Sequence, residues 1–229
     1  MSPAVRPAGS HRSTRDRPAK APLSEAAVVD AALAILQSEG LEAVTMRRVA
    51  AALDTGAASL YVYVSGREGL LQAMQDRITA SVALEAPDPS RWRAQLHSLL
   101  VRMHRALADH PGIAATAMAE PPATEAAHLL LENLLGILLA GGLAPREAAW
   151  ATDIFALLVT YAAIEDDVRR AGPQELADGL YRVLSGLPPG RFPLITAHAA
   201  QLVAGEGDER FRFAVDVVID GLLARGARP

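Results

Sequence analysis

The sequence predicts an all-α protein, and three observations carry that expectation. Apolar residues recur at three- and four-residue spacing along most of the 229 positions, the pattern of helices that bury one face. Ser, Thr, Gly and Pro punctuate these segments where helices start and stop. No stretch alternates apolar and polar residues as a half-buried strand would. A composition of 51% hydrophobic and 21% charged residues belongs to a globular chain able to bury a sizeable core.

Taken in order, Ser24 caps a first helix whose stripe is Val28, Ala31, Ala32, Ile35 and Leu36, and Gly40 is its stop. Thr45 caps a second helix that reaches Leu53. Asp54-Thr55-Gly56 is a tight break, and Ala57 to Val64 reads as a third, short helix. A fourth runs from Arg67 towards Leu84, stopped by Pro87 and Pro89. Ser90 caps a fifth, with Trp92, Leu96, Leu99, Leu100, Met103 and Leu107 on one side. Breaks follow at His110-Pro111-Gly112 and Pro121-Pro122. Residues 124–140 are apolar on nearly every face and are expected to form a buried central helix. A long helix follows Pro145, carrying Trp150, Ile154, Leu157, Leu158, Tyr161 and Ile164. Pro173, the Gly186 to Pro193 stretch and Gly205-Glu206-Gly207 mark loops. The last helix presents Phe211, Val215, Val218, Ile219 and Leu222 and ends near Gly226.

Three short helices in the first 65 residues, with a three-residue turn between the second and third, fit a helix-turn-helix. The major groove admits an α-helix, and small leading side chains let it approach closely; Gly56, Ala57, Ala58 and Ser59 supply that clearance. Tyr61 and Tyr63 lie about 200° apart around a helix. One can pack inward while the other faces DNA, or both can flank the groove with hydroxyls near phosphates. Arg67 adds a cation at a helix N-terminus, a pairing that attracts phosphate.

The stretch "AALAILQSEGLEAVTMRRVAAALDTGAASLYVYVSGREGLL" resembles the N-terminal domain of the TetR family of bacterial transcriptional regulators. The likeness covers residues 23–71 without a gap and rests on Gly40, Leu41, Thr45, Arg47, Val49, Ala50, Leu60, Tyr61, Leu70 and Leu71. It implies that Thr45 touches phosphate and that Arg47 reaches a base or phosphate, with Arg48 beside it. It also implies that Ala58, Ser59 and Val62 face base edges, and that Tyr61, Tyr63 and Arg67 hold the DNA backbone. The family usually has Gly where Asp54 stands and often Lys where Arg67 stands; the first departure implies a slightly strained turn.

The resemblance further implies a ligand-binding and dimerisation domain in the larger half, which would set two recognition helices on a pseudo-palindromic operator. The expected domains are therefore 1–22, a basic flexible arm; 23–70, the helix-turn-helix DNA-binding domain; and 71–229, the ligand and dimerisation domain. The arm carries Arg6, Arg12, Arg15, Arg17 and Lys20 against Asp16 alone, on a chain of net charge -4, a mild pointer to an anionic partner at that end. For pairing, the apolar stripes of the last two long helices suggest Ile154, Leu158, Tyr161, Val215, Val218, Ile219 and Leu222. Residues 92–112 and 129–167 resemble, more weakly, the ligand domain of the tetracycline-repressor type. In that alignment the metal-binding histidine falls at Ala117 and polar pocket positions fall at Leu99 and Leu134. A pocket of Leu99, Met103, Met118, Leu134, Leu138, Trp150 and Phe155 is expected instead, taking a mostly apolar effector.

Other chemistries find little support. The chain has no cysteine, which removes disulfides, thiolate nucleophiles and sulfur metal ligands. Lys20, the single lysine, follows Pro-Ala rather than the glycines of a phosphate loop. His97 and His104 stand seven apart with no third ligand at metal spacing, so neither metal nor cofactor is expected. No nucleophile–base pair is visible and no enzyme is expected, although His104 is the one candidate titrating group for a pocket. The N-terminus lacks the apolar core of a secretory signal. The longest apolar run, Leu129 to Leu143, is interrupted by Glu132, Asn133 and Gly141-Gly142, so a soluble cytoplasmic protein without a membrane partner is expected. The alternative reading is a helical small-molecule binder whose DNA-reading head is unused.

Overall fold

The computed structural model describes residues 22–117, 123–170, 173–205 and 207–226. Most of the expected basic arm, Met118 and the Pro121-Pro122 break lie outside them. Among the described residues the fold is all helical, in the order α1 (Glu25–Glu39), a 3-10 turn (Leu41–Ala43), α2 (Met46–Ala52), α3 (Ala57–Leu60) and α4 (Arg67–Ala80). The larger half follows as α5 (Trp92–Ala108), α6 (Ile113–Ala117), α7 (Glu125–Ala140), α8 (Pro145–Arg170) and α9 (Pro173–Ser185). It closes with α10 (Pro193–Ala197), α11 (Ala199–Val203) and α12 (Gly207–Gly226).

The caps behave as their chemistry dictates. Ser24 Oγ accepts the Ala27 N–H at 3.2 Å and Thr45 Oγ1 accepts the Arg48 N–H at 3.1 Å, each satisfying a donor the helix itself cannot. Gly40 ends α1 at φ 85, a conformation that costs glycine nothing. After α2, the Asp54 N–H bonds Ala51 O and the Thr55 N–H bonds Ala50 O, with Asp54 at φ 50. This is a Schellman ending with aspartate in the left-handed position usually held by glycine.

Several boundaries differ from expectation. The α-helix of the third segment stops at Leu60, and Tyr61 to Tyr63 continue it as turns. Helix α4 ends at Ala80 rather than near Leu84, because Ser81 Oγ bonds back to Ile78 O. Ser90 does not cap α5. It donates instead to Asp88 Oδ1, and the buried Gln95 side chain ties the linker by accepting from Asp88 N–H and donating to Ala86 O. Helix α7 is not a buried central helix: Leu134, Ile137 and Leu138 are buried, whereas Leu129, Leu131 and Leu139 are exposed. The stretch after Pro173 is helical, with proline opening α9 as an N-terminal residue can.

Two cores result. Val28, Ala32, Leu36, Val49, Leu60, Leu70, Met74, Ile78 and Ile113 bury together as the head core. Leu96, Leu99, Leu100, Ile137, Leu138, Ala151, Phe155, Val215 and Ile219 form the body core. Helix α4 belongs to the head core down to Ile78, well past position 70. Ala148, Ala151 and Ala163 on α8 are fully buried, and such small side chains let neighbouring helices approach closely. By length and composition α8 could cross a membrane. Its inner stripe (Ala148, Ala151, Thr152, Phe155, Val159, Ala163) is buried in the body.

Candidate DNA-reading surface and ligand cavity

At the head, α2 and α3 leave one set of side chains facing outward. Thr45, Arg47, Ala58 and Ser59 are exposed. Tyr61 is 60% and Val62 81% exposed, a large apolar display for a helix end unless something covers it. Arg47 has no hydrogen-bond or ion-pair partner among the described residues. Three other expected DNA contacts are engaged within the protein. Tyr63 is half-buried and donates its hydroxyl to Leu23 O at 2.9 Å, which settles the two-tyrosine question: Tyr63 packs inward and Tyr61 points out. Arg67, though exposed, donates Nε to Val44 O at 3.0 Å and Nη2 to Leu41 O at 3.3 Å, holding the 3-10 turn. Arg48 pairs with Glu39 across the α1–α2 corner. This contact holds the Glu39 carboxyl below the usual carboxylate range.

A cavity of about 590 Å³ lies between the head's last helix and the body. Helix α4 supplies one wall through Leu71, Gln72, Gln75, Asp76 and Thr79. Met103 and Leu107 come from α5, Leu130, Leu131 and Leu134 from α7, and Thr152, Asp153 and Ala156 from α8. The lining is therefore two-sided, polar along α4 and apolar along α7, with more polar groups than the sequence led us to expect. Gln75 Nε2 donates to Thr116 Oγ1 at 2.5 Å, tying α4 to α6. Of the expected pocket residues, Met103 and Leu134 line this cavity. Leu99, Leu138 and Phe155 do not: each is fully buried in the body core, because a fully enclosed stripe on α5, α7 and α8 makes the core itself. Trp150 is 56% exposed, with the Arg146 guanidinium 4.3 Å over its ring.

The expected pairing residues also divide. Ile154 and Tyr161 are exposed on α8, in line with Trp150 and Leu157. Val215 and Ile219 are buried in the chain's own core, while Leu158, Val218 and Leu222 pack partly against it. The outward apolar residues of α12 are Phe213, Val217 and Leu223 instead. Both long helices carry two apolar stripes, and the outer one is a ready contact surface. His104 is buried on α5, stacked on Phe211 at 5.0 Å. Its Nε2 lies 3.0 Å from Asp166 Oδ2, in ion-pairing range though not in hydrogen-bond geometry. His97 meets Asp216 on α12 at 3.0 Å.

An outward-facing helix-turn-helix, joined through one shared helix to a cavity-bearing helical body, is the build of a helix-turn-helix regulator. The sequence comparisons carry this to a family. Residues 28–74 match the bacterial regulatory proteins of the tetR family. Residues 86–225 match the tetracyclin repressor-like C-terminal domain. The chain belongs to the tetR family of transcriptional regulators. It is similar to the HTH-type transcriptional repressor DrrR1 of Streptomyces coeruleorubidus, 31% identical over 227 residues, spanning 91% of this chain and 82% of DrrR1. It is also similar to apo ActR from Streptomyces coelicolor, with 34% identity and a TM-score of 0.82 over 91% of this chain and 100% of ActR. Against ActR in complex with actinorhodin, identity is 33% and the TM-score 0.84, over 91% of this chain and 99% of that one.

Proposed function

We propose that the chain is a dimeric transcriptional repressor that holds a pseudo-palindromic operator until a small molecule fills the cavity. One observation carries the reading: α4 is both a wall of the cavity and a part of the head core. Leu71 belongs to both, Met74 and Ile78 pack into the head, and Gln72, Gln75, Asp76 and Thr79 face the cavity. A ligand that displaces α4 moves the recognition helix with it. The shift in operator affinity can be no larger than the ligand's preference for the DNA-free arrangement.

In this reading Arg47 and Tyr61 meet phosphate or base edges, with Thr45, Ala58, Ser59 and Val62 against the groove. Arg48, Tyr63 and Arg67 hold the head in shape. Two copies pair through the exposed stripes of α8 and α12, Trp150, Ile154, Leu157 and Tyr161 with Phe213 and Val217. No catalysis is assigned: His104, the candidate titrating group, lies against Asp166 and Phe211 and does not line the main cavity. Such a protein works in the cytoplasm, where its DNA is.

Fluorescence anisotropy against the DNA upstream of the protein's own gene, with a scrambled control, tests the reading. A preference of about 10³ that weakens with salt is expected. Weak binding that does not distinguish the two fragments, repeated across neighbouring intergenic DNA, would favour the binder with an unused head.

A further inference from the structure

We propose that the cavity takes an apolar amine: a small molecule whose protonated nitrogen sits against Asp76 and whose aliphatic or ring body lies along α7. This rests on the reading of the cavity as the effector site. Most of the lining groups that could anchor a ligand are already engaged. Gln75 is bonded to Thr116, Thr152 Oγ1 donates to Ala149 O at 2.7 Å, and Thr124 Oγ1 accepts the Ala127 N–H at 3.2 Å. Among the described residues of the lining Arg67 is the one guanidinium, and it is engaged with the carbonyls of Val44 and Leu41. Asp76 stands apart. Its Oδ1 is buried and accepts no hydrogen bond among the described residues. The next residue, Arg77, turns away to Asp30 at 2.9 Å.

The remaining charged groups among the described lining residues are Glu68 and Asp153, both exposed carboxylates, so three carboxylates face one guanidinium and the field they set is negative. A carboxylate oxygen drawn out of water without a partner is unfavourable. An ammonium group relieves that penalty; a carboxylate on the ligand adds to it. Across the cavity Met103, Leu107, Leu130 and Leu134 offer apolar surface, and the volume is in the range that encloses a drug-sized molecule. The geometry thus sets a charged end at α4 and an apolar end at α7.

The test uses full-length protein and three probes with one tail and different heads: decylamine, decanol and decanoate, each below its micelle concentration. Calorimetry should show decylamine binding about tenfold tighter than decanol, with decanoate weakest. The isosteric Asp76→Asn variant should lose the amine preference and keep the decanol affinity. Leu130→Trp, which fills the apolar wall, should abolish decylamine binding. Decanol or decanoate binding as tightly as the amine would overturn the proposal. So would an amine preference that survives Asp76→Asn, or amine binding untouched by the plug. The cavity reading fails separately: if none of the three binds the wild-type protein or alters operator affinity, the cavity is not an effector site of this kind. Equal binding by all three with operator release would keep the effector site and remove only the amine.

Discussion

At the scale of single residues, the head separates groups that face outward from groups that hold it together, and substitutions should separate them too. Arg47→Ala is expected to weaken operator binding by roughly tenfold or more, the cost of a lost charged contact, without lowering the melting temperature. Tyr61→Phe should act in the same direction and more weakly. Tyr63→Phe should do the reverse: it removes the hydrogen bond to Leu23 O, costs about 1 kcal/mol of stability, and leaves operator affinity nearly unchanged. Anisotropy and thermal unfolding on the same samples distinguish the two behaviours. The caps at Ser24 and Thr45 and the stop at Gly40 were legible in the sequence because their partners lie within three or four residues. The roles of Tyr63 and Arg67 were not. Both are decided by backbone carbonyls 40 and 23–26 positions away, which no local pattern reports.

At the scale of elements, the contact between α5 and α12 is electrostatic at its rim. His97 and Arg93 both reach Asp216 and hold its carboxyl below the usual carboxylate range. A carboxyl whose folded-state pKa is depressed contributes stability above its unfolded value and loses it as the pH falls through the folded one. The tie is therefore expected to be complete near neutrality and to fade below about pH 4. Thermal unfolding of Asp216→Asn should show a flatter pH dependence in that acid range than the parent. Gly141 marks a close approach: a Cβ there would stand 2.5 Å from the Trp92 ring. Gly141→Ala should cost about 1–3 kcal/mol through overpacking, read as a lower denaturant midpoint. The helical character of α5, α7, α8 and α12 was plain from periodicity. Their inward faces were harder to read, because α8 and α12 are apolar on two sides. For α12 the sequence stripe through Val215 and Ile219 is the inner one, and the outer one runs two positions away through Phe213 and Val217.

At the scale of the whole molecule, pairing and reading depend on each other. Leu157→Arg combined with Phe213→Arg should give a monomer in sedimentation, since both sit on the exposed stripes. Operator affinity should then fall by roughly a hundredfold as the second half-site stops acting as a tethered contact. Phe155→Ala, by contrast, opens the body core and should cost about 3–5 kcal/mol without removing a cavity contact. The two-part plan was visible in the sequence as a compact three-helix motif followed by longer apolar helices. The joint between the parts was not, since α4 runs on without a break and its residues change allegiance from one side to the other.

That joint governs what can be transplanted. The head core draws on Met74 and Ile78 from the far half of α4 and on Ile113 from the body. A head excised at position 70 would lose Leu71, Met74 and Ile78 from that core and uncover the face of α1 against which α4 packs. Heads exchanged between relatives should be cut in the 81–91 linker after α4, with the donor's residue at position 113 carried along. A hybrid made that way inherits the donor's operator together with one wall of the donor's cavity, so address and effector specificity do not travel as independent parts.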